Sequence, residues 1–246
     1  MPDEISANKR RALKLVVATT LPVVLVALVV GLAVGNLVVG VILAVVWAVF
    51  WVTYARTGDG AARQALGGRP ADPVADARLH NLVDGLCGGA GVPKPALVVL
   101  DDPAPNALAF GPDPRHATLA VTTGLLGLLG RVELEGVLAR ELATIKRHET
   151  APATVAVALL RVLGPIGPVA SWVRHTATAT PAAVVDASGV AITRYPPGLV
   201  AALEKLRAAG AGVQVGSPAT AHLWVVPPDP SLHPPLEERI AALREL

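Results

Sequence analysis

Two long apolar runs near the N-terminus constrain this chain more than any other feature. Leu15 to Val34 carries no charge over about twenty residues, the length that an α-helix needs to cross a bilayer. A second run, Leu37 to Tyr54, follows after Gly35-Asn36, a turn signal. So short a connection leaves only a tight antiparallel hairpin. Pro22 inside the first run is tolerable in a membrane helix and reads as a kink. Lys9, Arg10, Arg11 and Lys14 precede the hairpin, Arg56, Arg63 and Arg69 follow it, and the turn is uncharged. The positive-inside rule then puts both ends in the cytoplasm, with Trp47, Trp51 and Tyr54 at an interfacial aromatic belt. A cleaved signal peptide is the competing reading, but it leaves the second run unexplained. The chain is expected to be a multi-pass protein of the cell membrane, with the lipid bilayer as a partner.

Composition agrees. Hydrophobic residues make up 52% and charged residues 16%, with a mean hydropathy of +0.53, too apolar for an ordinary soluble domain. A net charge of +2 and an aromatic content of 3% argue against nucleic acid as a partner. The single cysteine, Cys87, has no internal disulfide mate and no neighbouring basic residue, and reads as a packed side chain.

Beyond the hairpin, residues 55–76 are rich in Gly, Ala, Arg and Pro and read as a linker, after a basic N-terminus over 1–14. A helix is expected over Asp76 to Gly89, then strands at Ala96 to Leu100, Asn106 to Phe110 and Thr118 to Thr122. Thr123 to Gly130 opens helical structure that leads into Arg131 to Lys146. There Leu134, Val137, Leu138, Leu142 and Ile145 form one apolar face. Glu141 projects only roughly 40° from the centre of that face. A carboxylate aimed into a core demands a partner. Residues 151–173 are apolar but broken by Arg161, Gly164-Pro165 and Gly167-Pro168, which suits two short helices or a membrane-surface segment. Further helices are expected over Val184 to Thr193 and Leu199 to Ala209, with a loop from Ala211 to Ala221 between them and a last helix opened at His233-Pro234-Pro235.

The stretches "NLVDGLCGGAGVPKPALVVLDDPAPNALAFGPDPRHATLAVTTGLLGLL", "RVELEGVLARELATIKRHE", "VVDASGVAITRYPPGLVAALEKL", "AHLWVV" and "LHPPLEERIAALREL" occur in one order. Together they resemble the HtpX-type membrane zinc metalloproteases, relatives of the CAAX prenyl proteases. The resemblance covers about residues 77–246. It implies an α+β, mainly helical, zincin-like peptidase domain with a small sheet, held on the cytoplasmic side by the hairpin.

The same resemblance implies a zinc site of the H-E-x-x-H type, in which two histidines one helical turn apart grip the ion. The intervening glutamate activates the zinc-bound water, and a later helix supplies a third ligand four residues before an aspartate. Here the motif reads Arg140-Glu141-Leu142-Ala143-Thr144, and Ala182 precedes Asp186 by four. Glu141 stands at the general-base position, while Arg140, Thr144 and Ala182 stand where the ligands belong. None of the three is a normal zinc donor, so no metal and no other cofactor is expected. His148-Glu149 repeats half the motif, but Pro152 stands where its second ligand belongs. His80, His116, His175, His222 and His233 show no ligand spacing.

Asp186 matches the position that orients the first histidine, so one expectation pairs it with the Arg140 guanidinium, and the other leaves Arg140 on a solvated edge. Asn106 and Ala107, on a cleft-edge strand suited to pairing with an extended peptide, and His233, as a brace or a local cap, complete the candidate cleft. Three functions fit: a non-catalytic pseudoprotease that binds protein or peptide segments, an active zinc endopeptidase in membrane protein quality control, and a scaffold for another membrane protein.

Overall fold

A computed structural model describes residues 2–210 and 212–246 of the chain. Its first helix, α1 (Pro2–Ala33), runs for 32 residues without interruption. From Pro2 onward the basic N-terminus forms the first turns of this helix. Asn8 is buried there and donates from Nδ2 to the Arg147 carbonyl at 2.9 Å, and Arg11 donates to the Thr180 hydroxyl at 2.8 Å. Gly35, at φ 72°, makes the turn, and the Asn36 side chain caps α2 (Leu37–Ala55). Both helices are long and apolar enough to cross a membrane. They touch at two glycines: a Cβ on Gly40 would lie 2.9 Å from the Gly31 Cα, so only glycine permits this approach.

The expected linker over 55–76 contains regular structure. Its middle is α3 (Gly58–Leu66), and Arg69–Pro70 forms β1, paired antiparallel with β2 (Ala96–Leu100). Ala61, Ala62 and Leu66 are buried against Leu100, Phe110 and Trp224. A small-residue run reads as flexible in isolation, but small side chains also let a helix lie close to its neighbours.

Helix α4 (Ala77–Ala90) precedes β2, and β3 (Ala107–Phe110) and β4 (Thr118–Thr122) complete a sheet of order β1-β2-β4-β3. β2 and β4 run parallel, while β3 is antiparallel to β4. Strand alternation divides β3 between two cores. Ala107 and Ala109 face the core shared with α4, whereas Leu108 and Phe110 face the one beneath α3. With both faces covered, a strand without polar alternation is what the packing requires.

After α5 (Thr123–Leu128) comes the motif helix, α6 (Arg131–Lys146). The Glu133 carboxylate accepts from the Gly130 N–H at 2.7 Å and secures its first turn. His148, at φ 57°, turns the chain out just past its end. Residues 151–173 fold as parts of α7 (Thr150–Leu163) and α8 (Gly167–Ala177), the pair of short helices. They pack with Leu15 and Trp51 of the anchor in an apolar junction. Then come α9 (Ala182–Thr193), α10 (Pro196–Ala209) and α11 (Leu236–Arg244). Between α10 and the turn at Ala221, residues 212–220 are irregular; Ala211, where that loop was expected to begin, lies outside the described residues.

A charged centre with an arginine between two carboxylates

The site is built where α6 crosses α9. A Cβ on Gly189 would lie 2.6 Å from the Arg140 Cα, so this glycine lets the two backbones meet. That approach carries Asp186, one turn earlier on α9, to Arg140. The Arg140 Nε donates to Asp186 Oδ1 at 3.0 Å, and its NH1 makes a short contact with Glu141 Oε1. From α11, the Arg239 Nε donates to Asp186 Oδ2 and its NH2 to Oδ1, both at 2.8 Å, while NH1 reaches the Val225 carbonyl. All four side chains are buried, with Asp186 at 0% exposure and Arg140 at 5%. Two cations and two anions therefore sit in the core as a neutral, hydrogen-bonded set.

The electrostatics follow from that arrangement. Burial pushes the Glu141 carboxyl up, and the neighbouring Arg140 charge only partly opposes it. Burial acts the same way on Asp186, but the two arginines outweigh it and hold its carboxyl below the usual range. Arg140 loses solvent yet gains two carboxylates, so its guanidinium is held more firmly protonated.

A cavity of about 60 Å³ lies above this centre. Arg140, Glu141, Thr144, Ala182, His222 and His233 all line it, and Asp186 lies beneath. The structure thus gathers the three degenerate ligand positions and the general-base position around one space. Arg140 is turned inward to its carboxylates and does not lie on a solvated edge. The Thr144 hydroxyl turns back to the Arg140 carbonyl at 3.2 Å.

Asn106 and Ala107 are placed differently from the expected open cleft edge. Both are fully buried and neither lines the cavity; Ala109 is the β3 residue that does. The outer edge of β3 is already paired, because the returning segment 224–226 lies against it. Leu108 bridges Trp224, Val225 N–H donates to the Ala107 carbonyl at 2.9 Å, and Asn106 holds Val226 through both its amide atoms. Peptide addition at this edge would first have to displace that segment.

Two residues at the site escaped the sequence reading. Arg239 lies on the face of α11 that buries Ile240 and Leu243. A charge on a buried stripe is the signal that singled out Glu141, and it applies equally here. His222 is 3% exposed, with Nε2 bonded to the Ala153 carbonyl at 2.9 Å and Nδ1 unpartnered. Burial lowers its pKa to about 4, and that of His233 to about 3, so both imidazoles are neutral at pH 7. His80 and His116 make local contacts elsewhere.

Do these residues fit a zinc ion? A guanidinium keeps its proton, Ala182 offers no donor, and the Thr144 hydroxyl is engaged. The unpartnered Nδ1 atoms of His222 and His233 are two donors at most. Among the described residues, no group of three or more His, Cys, Asp or Glu side chains is arranged to hold a metal. The residues do not fit zinc.

A helical domain with a small sheet, its central helix crossed by a later helix bearing an aspartate, on an apolar helical pair, is the architecture of the zincin-like membrane peptidases. Residues 73–246 match the model of peptidase family M48, and the chain belongs to that family. It is similar to the protease HtpX homolog of Caldanaerobacter subterraneus subsp. tengcongensis, 34% identical over an alignment of 233 residues that takes in 76% of this chain and 78% of that protein. The protease HtpX homolog of Tropheryma whipplei is 34% identical over 210 residues, covering 69% and 72%. That of Dictyoglomus turgidum is 35% identical over 207 residues, covering 68% of each. With its two apolar helices, the chain is an HtpX-like membrane protein.

Proposed function

We propose that this chain is a non-catalytic member of its family, anchored by α1 and α2 as a two-span hairpin, which acts by binding other proteins. One observation carries the reading: the Arg140 guanidinium lies between the Asp186 and Glu141 carboxylates, where the family pattern places a zinc-binding histidine. A fixed positive charge bonded to the would-be general base ties one Glu141 oxygen into an ion pair, and a guanidinium, unlike a zinc ion, cannot bind and acidify a water for it. Among the binding functions, closure of the β3 edge by Trp224 favours a scaffold for another membrane protein over capture of an extended peptide. The basic residues at both ends of the hairpin support a cytoplasmic domain, and nothing supports nucleic acid as a partner.

The test is metal analysis of the purified full-length protein alongside casein cleavage. The expected result is no zinc above background and no cleavage. Stoichiometric zinc, with cleavage abolished by Glu141→Gln, overturns the reading. A rebuilt chain carrying Arg140→His, Thr144→His and Ala182→Glu is expected to bind about one zinc ion, because the three positions already line one cavity.

A further inference from the structure

The elbow between α7 and α8 dips towards the anchor helix. An apolar groove of about 530 Å³ lies between them, walled by Thr19, Pro22 and Val23 of α1 and by Leu163, Val169 and Trp172 of the elbow. The depth of that contact follows from the anchor itself. Trp51 donates from Nε1 to the Thr19 hydroxyl at 2.8 Å, which puts Thr19 level with the aromatic belt. Pro22 and Val23 lie three and four residues further along α1, about 5–6 Å deeper at the helical rise. Amphipathic segments that lie in a membrane interface reach about 5–10 Å into it.

The elbow has the composition for that position. From Val162 to Val173 there is no charged residue, and Arg161 and Arg174 stand at its two ends, where lipid phosphates would meet them. Val162 and Ile166 at its outer surface are 49% and 51% exposed, with no protein cover among the described residues. Trp172 and Val169 pack in the same apolar cluster as Trp47, Trp51 and Tyr54, so the elbow continues the belt.

We propose that the α7–α8 elbow is a shallow membrane insertion, with Val162 and Ile166 in the acyl chains of the leaflet nearest the domain and phospholipid tails filling the groove against α1. The domain would then contact the bilayer at a third point without a third span. The proposal rests on the reading of α1 and α2 as membrane-spanning, and the experiment separates the two.

Nitroxide labels placed on Val162→Cys and Ile166→Cys, in full-length Cys87→Ala protein in phosphatidylcholine and phosphatidylglycerol vesicles, report depth through collisions with oxygen and with a water-soluble nickel complex. Val26→Cys in α1 and Val74→Cys, on an exposed loop residue, are the controls. The expected result is an oxygen-to-nickel collision ratio at both elbow positions several-fold above that at Val74 and below that at Val26. Elbow ratios equal to that at Val74, with Val26 still in hydrocarbon, overturn the insertion alone. A water-like ratio at Val26 overturns the anchor reading, and the insertion with it.

Discussion

The charged centre under α6 and the apolar junction where the anchor meets α7 and α8 hold the same domain together by opposite means. At the centre, Asp186 is bonded by two guanidiniums and Glu141 by one of them. Geometry there is all or nothing, because an ion pair out of water is stable only while each member is satisfied. At the junction, Leu15, Leu159, Ala170 and Val173 contribute area with no directional demand. The contrast teaches that two helix crossings in one domain can be fixed by opposite kinds of force. Here two arginines and two carboxylates hold the crossing of α6 and α9 by directed pairs, while the junction holds the anchor by apolar area alone.

Several measurements would break or sharpen that comparison. The largest effect is expected for Asp186→Ala, which leaves the buried Arg239 guanidinium without a carboxylate and Arg140 with Glu141 alone. Denaturant unfolding in detergent is expected to show a loss of about 3–5 kcal/mol. Replacing Arg140→Met together with Glu141→Leu is expected to cost less than Arg140→Ala alone, since no charge is then orphaned. If the double variant is the less stable, the centre does not act as a unit. Leu159→Ala, at a fully buried junction position, is expected to lose about 3 kcal/mol, and further junction truncations to add to it in steps.

Acid separates the regions next. The folded His222 stays neutral down to about pH 4, whereas in the unfolded chain it takes a proton below its ordinary value of 6.5. Between those values the unfolded state binds more protons, so stability is complete above pH 6.5 and falls as the pH is lowered towards 4. Asp186, held below the usual carboxylate range, adds its own loss only at still lower pH. Melting temperatures across this window are expected to fall for the natural chain and to fall less for His222→Gln. An unchanged slope would remove His222 from the account. The smallest effect is expected for Trp51→Phe, which deletes the bond to Thr19 while keeping most of the ring, at about 1 kcal/mol in the same unfolding assay.

How much of this was legible in the sequence depended on the range of the cause. The limits of α6 follow from its own residues, with Glu133 closing the first turn and one apolar stripe running to Ile145. The strands at Ala96 and Thr118 are likewise bounded by local turn residues. What failed depended on distant chain. The contacts of the basic N-terminus could not be read locally, because Arg147 and Thr180 supply them from far along the chain. Residues 58–66 look like a tether until α7 covers them. The outer edge of β3 looks open until Val225 returns to it from over a hundred residues away. Arg239 was the one miss with a local signal, a cation on the buried face of a short helix.

The unbroken course of α1 also sets a reach. Arg11 is bonded to Thr180 at the rim of the cavity, and Leu15, where the apolar run begins, follows four residues later on the same helix. At the helical rise, that leaves about 6 Å between the cavity rim and the start of the apolar run. Among the described residues, no irregular segment separates the two. A single helix therefore carries both the cavity rim and the start of the apolar run, so a displacement of one is felt by the other.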